Sequence, residues 1–264
     1  MRKHVAAKFI SVAVFSAISS FNPAIATDNN VCKDLPSHAE LKAVLHQVVA
    51  AGGNAGFGFN MWVSTVNRDG VVCAVAFSGD ERGDQFPGSR VISAQKANTA
   101  NAFSLPNFAL STANLFSAVQ PGQSLYGIQH SNPVHPHVAY GGNSTHYGTP
   151  NDFMTGRKIG GVNVFAGGLA LYRKDHKLIG AMGTSGDSAC TDHIIAWKMR
   201  QIFNLDSVPA GPAGPGYDNL VHDISTDSAT GHSTSAGGFG HPTCDANATL
   251  IANQLPTTHP IGAN

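Results

Sequence analysis

The chain has 264 residues, with Lys+Arg and Asp+Glu both at 16, so its formal charge is zero when histidine is neutral. Without a positive excess it lacks the electrostatic footprint of a polyanion binder, which argues against a nucleic-acid partner. Hydrophobic residues make up 42 % of it and charged residues 12 %, enough apolar material for one sizeable core.

Arg2, Lys3 and Lys8 flank or precede an apolar run over 9–18, and Ala24-Ile25-Ala26 offers the small residues that a signal peptidase accepts. The pattern predicts an export signal over 1–26, cleavage after Ala26, and a periplasmic or secreted protein. The run is too short to cross a bilayer, so no membrane span is expected. Losing three basic residues and no acidic ones leaves the mature chain weakly acidic. The four cysteines, Cys32, Cys73, Cys190 and Cys244, are far apart and form no C-x-x-C pair. With an export signal they read as two disulfides rather than as a zinc site or a redox dithiol.

The stretch 37–51 predicts a helix, with Pro36 in its first turn, an apolar stripe at Leu41, Val44, Leu45 and Val48, and Gly52-Gly53 as its stop. Two alternating segments, 59–66 and 71–77, predict a hairpin through Asp69-Gly70, with Phe59, Met61, Val63 and Thr65 on one face. A polar loop over 79–89 follows. The helix expected over 91–103 carries Ala94, Ala97 and Ala100 on one side, so its backbone can approach a neighbour closely. Lys96 is its only charge and is expected at a solvated tip.

A second short helix is expected over 109–119, and 123–157 reads as a long functional or covering loop. The runs 167–172 and 178–182, joined by the polar 173–177, predict a second hairpin. Gly183-Thr184-Ser185-Gly186 then reads as a tight strand-to-helix turn, and a helix begins near Ser188 with Ile195, Ala196, Met199, Ile202 and Phe203 as its apolar stripe. The remainder, 206–264, is turn-rich and is expected to wrap the domain irregularly, with one short strand over 220–224. This order predicts an α+β layered fold with a largely antiparallel sheet, one domain over 27–205 and a tail. If the first helix runs antiparallel to the first strand, Cys32 approaches Cys73, leaving Cys190 for Cys244.

Motifs for common chemistries are missing: the chain contains neither G-x-S-x-G nor H-E-x-x-H, and no lysine follows the glycine corner as in a phosphate-binding loop. The unusual feature is histidine, 13 in all. His130, His135, His137 and His146 crowd into the long loop, and imidazole is a good ligand for iron, zinc and copper. Asp192 suits the positive end of the last helix, and His193 lies four residues before Trp197, near enough to stack on it.

The strings TVNRDGVV, SAQKANTANAFS, GVNVFAGGLALY and KLIGAMGTSGDSACTDHIIA, in that order, resemble the GlcG/HbpS-like haem-binding family, also found at the C-terminus of PduO proteins. The resemblance covers roughly 41–203. It implies a profilin- or roadblock-like antiparallel sheet flanked by helices, assembly into homo-oligomers, and haem or a related tetrapyrrole as ligand. For an exported member it implies haem scavenging, storage or sensing, sometimes with a sensor or transport protein as partner. A haem-dependent peroxidase-like or small-molecule activity is the alternative, and a partner-binding module without ligand is a third. The chain departs from the family pattern at Asp192-His193, in its enlarged histidine-rich loop and in its cysteine-bearing tail. By side-chain chemistry the expected haem ligands are His193, His135, His137, His146 and Tyr140.

Overall fold

The computed structural model describes residues 31–214 and 217–262; the predicted export signal and its cleavage point lie outside the described residues. Helix α1, His38–Ala50, starts at a capping box: the Ser37 hydroxyl accepts the Glu40 N–H and the Glu40 carboxylate accepts the Ser37 N–H. Ser37 is therefore the cap, and Pro36 precedes the helix rather than entering its first turn. Leu41, Leu45 and Val48 are buried along the expected stripe.

Strands β1, Trp62–Asn67, and β2, Val72–Phe77, pair antiparallel across the turn at Asn67 to Gly70. Asn67 Oδ1 accepts the N–H groups of Asp69 and Val71, and Gly70 takes φ +75°, which glycine adopts without strain. The first strand begins at Trp62 rather than at Phe59. Its reason is tertiary: the N–H groups of Phe57 and Phe59 donate to the Asp187 carboxylate, which holds that backbone as a loop and leaves both rings exposed.

Strand β3, Gly168–Tyr172, and β4, Leu178–Ser185, form the second hairpin, and β4 pairs with β1. The sheet order is β2-β1-β4-β3, antiparallel throughout. The strand continues through Gly183 to Ser185, so the corner expected at 183–186 is shifted to the residues just before the next helix. Helix α2, Ser89–Ala102, covers one face of the sheet. Helices α1 and α5, the latter Ala189–Ile202, cover the other. With helices on both faces, the strands are buried on both sides and their polar–apolar alternation is lost.

Ala94, Ala97 and Ala100 are fully buried, as their small size predicts. A β-carbon at Gly183 would collide with the Ser93 carbonyl and the Ala97 amide, so the alanine face of α2 lies directly against a glycine in β4. The helix expected over 109–119 is instead two 3-10 turns, Ala113–Leu115 and Ser117–Val119. Asn114 Oδ1 accepts both the Ser111 N–H and the Ser111 hydroxyl, and such local bonds compete with a regular helix.

The long loop contains α3, Ile128–Ser131, α4, Pro136–Tyr140, and a 3-10 turn at Ser144–His146. The tail contains β5, Ile224–Thr226, paired with β6, Ser233–Ser235, and then α6, Ala246–Thr258. The strand expected over 220–224 lies slightly later, and α6 replaces the irregular ending. Helix α6 is capped by Asp245 and buries Ala248, Ala252 and Leu255 in the same core as α5. Pro256 obscures this helix in the sequence, since proline argues against a helix interior. Both disulfides, Cys32–Cys73 and Cys190–Cys244, have the expected pairing. Among the described residues, no helix is long and apolar enough to cross a membrane.

Candidate functional site

The loop histidines lie on the surface. His130, His135, His137 and His146 are exposed, and Tyr140 is 65 % exposed. His135 caps α4, its Nδ1 accepting the Val138 N–H at 3.4 Å, and its ring lies 6.5 Å from that of His137. His137 meets Phe153 edge-on at 5.1 Å. Beneath them the loop is firmly held. Buried Arg90 donates to the Asp152 carboxylate and the Ala139 carbonyl and stacks on Tyr147 at 3.6 Å. The ligands expected in this loop are thus exposed rather than enclosed.

The head of α5 is enclosed. Asp192 is buried, and its Oδ1 accepts the N–H groups of Gly186 and Asp187. Its Oδ2 accepts from Lys96 Nζ at 2.6 Å. Lys96 is 1 % exposed, which overturns the expected solvated tip. The cause lies outside α2: Gly167 and Gly168 have no side chains to occupy the space, and α5 supplies the counter-charge. Asp192 is correspondingly more than a dipole partner. Burial pushes its carboxyl up to about 6, while the Lys96 ammonium pulls the other way.

His193 follows directly and is fully buried, its ring 6.1 Å from that of Trp197. Neither ring nitrogen has a hydrogen-bond partner among the described residues. Asn219 lies beside the ring, but its amide donates to the Ala252 carbonyl and its Oδ1 accepts the Leu220 N–H. Burial holds the His193 imidazolium well below its usual range, with smaller contributions from the charges of Arg200, His241 and His222. His193 is therefore neutral at pH 7.

His222 and His241 come from the tail. His241 is 3 % exposed and its Nδ1 lies 2.8 Å from the Pro242 carbonyl; His222 Nδ1 lies 3.2 Å from the His241 carbonyl. A carbonyl only accepts, so each Nδ1 carries a proton. Both Nε2 atoms are buried without a partner among the described residues. Burial pushes His241 down to about 4. Both residues line a cavity of about 680 Å³, which sequence reasoning missed. One signal was available: His193 lies three residues after Cys190 and His241 three before Cys244, so the expected disulfide brings both near one bridge.

Among the described residues, no three His, Cys, Asp or Glu side chains converge as a metal-ion site. What α5 and the tail offer is single buried imidazole nitrogens without a partner among the described residues, a donor type that could bind an iron already held by a macrocycle.

No curated protein sequence matches this chain. Among solved structures it is similar to Klebsiella pneumoniae protein ORFY, at 25 % identity over 64 % of this chain and 90 % of that one, with a TM-score of 0.42. It is also similar to the PduOC:haem complex, at 24 % identity over 63 % and 92 % of the two chains, with a TM-score of 0.43. A family model described as "Haem degrading protein HbpS-like" matches residues 37–200, which includes Lys96, Asp192 and His193 and excludes His222 and His241. The match spans more than half of the chain, and the protein belongs to the HbpS-like family.

Proposed function

We propose that this protein binds haem outside the cytoplasm and serves in haem scavenging, storage or sensing. The observation that carries the reading is the family match over 37–200. The donor chemistry supports it: His193, His222 and His241 hold buried ring nitrogens with no hydrogen-bond partner among the described residues. Leaving such groups unpaired costs on the order of 1–3 kcal/mol each, a cost that an iron bond offsets. When bound, haem would supply an iron able to take a nitrogen donor from the chain. The chain would supply one of these imidazole nitrogens.

Residues 27–205 form the family domain in this reading, and 206–264 a segment added to it. Two disulfides support an oxidising, periplasmic or secreted location. Phe57, Phe59 and Phe86 form an exposed aromatic cluster with ring centroids 5.4 Å apart in each neighbouring pair, which supports a homo-oligomer or a sensor or transport partner. A second reading, haem breakdown by the protein itself, is favoured by the family's description.

Titration of the purified mature protein with haemin tests the first reading. A saturable, shifted Soret band at a fixed stoichiometry is expected, and no shift beyond that given by an unrelated protein would end it. Adding a reductant in air separates the second: a stable Soret band marks a carrier, whereas its loss with stoichiometric iron release marks degradation.

A further inference from the structure

The tail closes a cavity of about 680 Å³ against the 116–123 segment, and most of its wall comes from residues that the family model does not reach. We propose that this cavity binds a neutral saccharide, with the Phe116 ring as the face on which a sugar packs and with Gln123 and Thr234 among the groups that hold its hydroxyls. The assignment is independent of the haem reading and concerns a second ligand.

The wall selects the chemistry. Its volume lies within the roughly 300–1,000 Å³ of small-molecule sites. Among the described residues, no Asp, Glu, Lys or Arg side chain lines it, so an ionic ligand would shed water there without meeting a counter-charge. Most of the lining side chains are instead Ser, Thr and Gln, whose hydroxyls and amides both donate and accept, as each hydroxyl of a sugar does. Phe116 adds the flat apolar surface that such a ligand needs. Its ring is half-buried and meets His241 edge-on at 5.3 Å, which holds it in place. The C–H groups on one face of a sugar ring are slightly positive and suit the negative face of an aromatic ring.

The polar groups fall into two sets. One set builds the wall: Ser117 Oγ donates to the Gly240 carbonyl at 2.6 Å, Ser235 Oγ donates to the Asp223 carboxylate and accepts the Gly240 N–H, and the Thr226 and Ser233 hydroxyls bond to each other. The other set is open. The side chains of Gln123 and Thr234 are exposed and make no hydrogen bond within the described residues, and they stand on opposite walls, one after the second 3-10 turn and one in β6. A ligand held by both bridges the hairpin to the domain. Strands β5 and β6 pair only with each other, and a lone two-stranded hairpin is marginally stable in water, so this bridge would also stabilise the hairpin.

The test applies the labelled full mature chain to a microarray of neutral, sialylated and sulfated oligosaccharides, and then measures the best neutral trisaccharide by calorimetry. Binding to neutral glycans is expected, together with slower proteolysis within 224–235 when the trisaccharide is present. Phe116→Leu keeps the apolar volume but removes the ring, and should weaken binding about fivefold or more. Gln123→Ala/Thr234→Val changes two exposed positions, covers the case in which the Phe116 variant does not fold, and should weaken binding about tenfold. Circular dichroism confirms the fold of each. No binding to any neutral glycan, or a preference for sialylated or sulfated ones, would overturn the assignment. Wild-type affinity in the folded double variant would overturn it as well, by placing the sugar elsewhere.

Discussion

Lys96 and Asp192 meet at 2.6 Å although α2 and α5 pack on opposite faces of the sheet. Lys96 Nζ also donates to the Thr184 carbonyl, and Thr184 Oγ1 donates to the Asp192 carbonyl. One hydrogen-bonded cluster therefore ties both helix layers to the end of β4, next to the buried His193. A carboxylate and an ammonium removed from water are costly unless paired, and each makes the other tolerable.

Removing one partner should expose that dependence. Lys96→Met is expected to destabilise the fold by roughly 3–5 kcal/mol, because a buried carboxylate loses its counter-charge. The double variant Lys96→Met/Asp192→Leu should recover much of the loss. Urea unfolding of the two variants and of wild type checks both values.

Gly183 is a steric requirement rather than a flexible joint. Gly183→Ala places a methyl group against the Ser93 carbonyl and the Ala97 amide, which are backbone atoms of a packed helix. An overpacking cost of about 1–3 kcal/mol is expected. An unchanged melting temperature in calorimetry would show that α2 moves away freely.

Stability should fall in mild acid. His241 titrates at about 4 in the fold, against an ordinary value near 6.5, so between these two pH values the unfolded chain binds the proton that the native chain refuses. Native stability is therefore complete above pH 6.5 and is lost as pH falls towards 4, by on the order of 3 kcal/mol from this residue alone. His193 acts in the same direction. Asp192, raised to about 6, acts in the opposite one, gaining a proton in the native state before the unfolded. Comparing wild type with His241→Gln isolates the histidine: the variant's stability should be less sensitive to pH between 6.5 and 4, as measured by urea midpoints.

The Cys190–Cys244 bridge closes a sequence separation of 54 residues. Its removal by Cys190→Ala/Cys244→Ala should cost roughly 4 kcal/mol through the greater freedom of the unfolded chain, and should loosen the tail around the cavity. Limited proteolysis is expected to cleave the variant within 206–243 before the family domain. Equal protection of both segments would show that α6 alone secures the tail.

The sequence by itself determined the layered fold, the two hairpins, helices α1, α2 and α5, both disulfide pairings and the family. These depend on hydrophobic period, caps, turn residues and recurring strings, all of which act over a few neighbouring positions. It left the ends of β1 and β4 and the 109–119 segment open to error, because there the Asp187 carboxylate, the close approach of α2 and the Asn114 side chain set the backbone. Only the tertiary structure decided the buried charge pair and the buried imidazoles. Lys96 looked like a solvated tip because its partner lies 96 positions away, and His241 looked unremarkable because the Phe116 ring against it comes from a segment distant in the sequence. Burial, tautomer and an unpaired lone pair are properties of what surrounds a side chain. No local pattern encodes them.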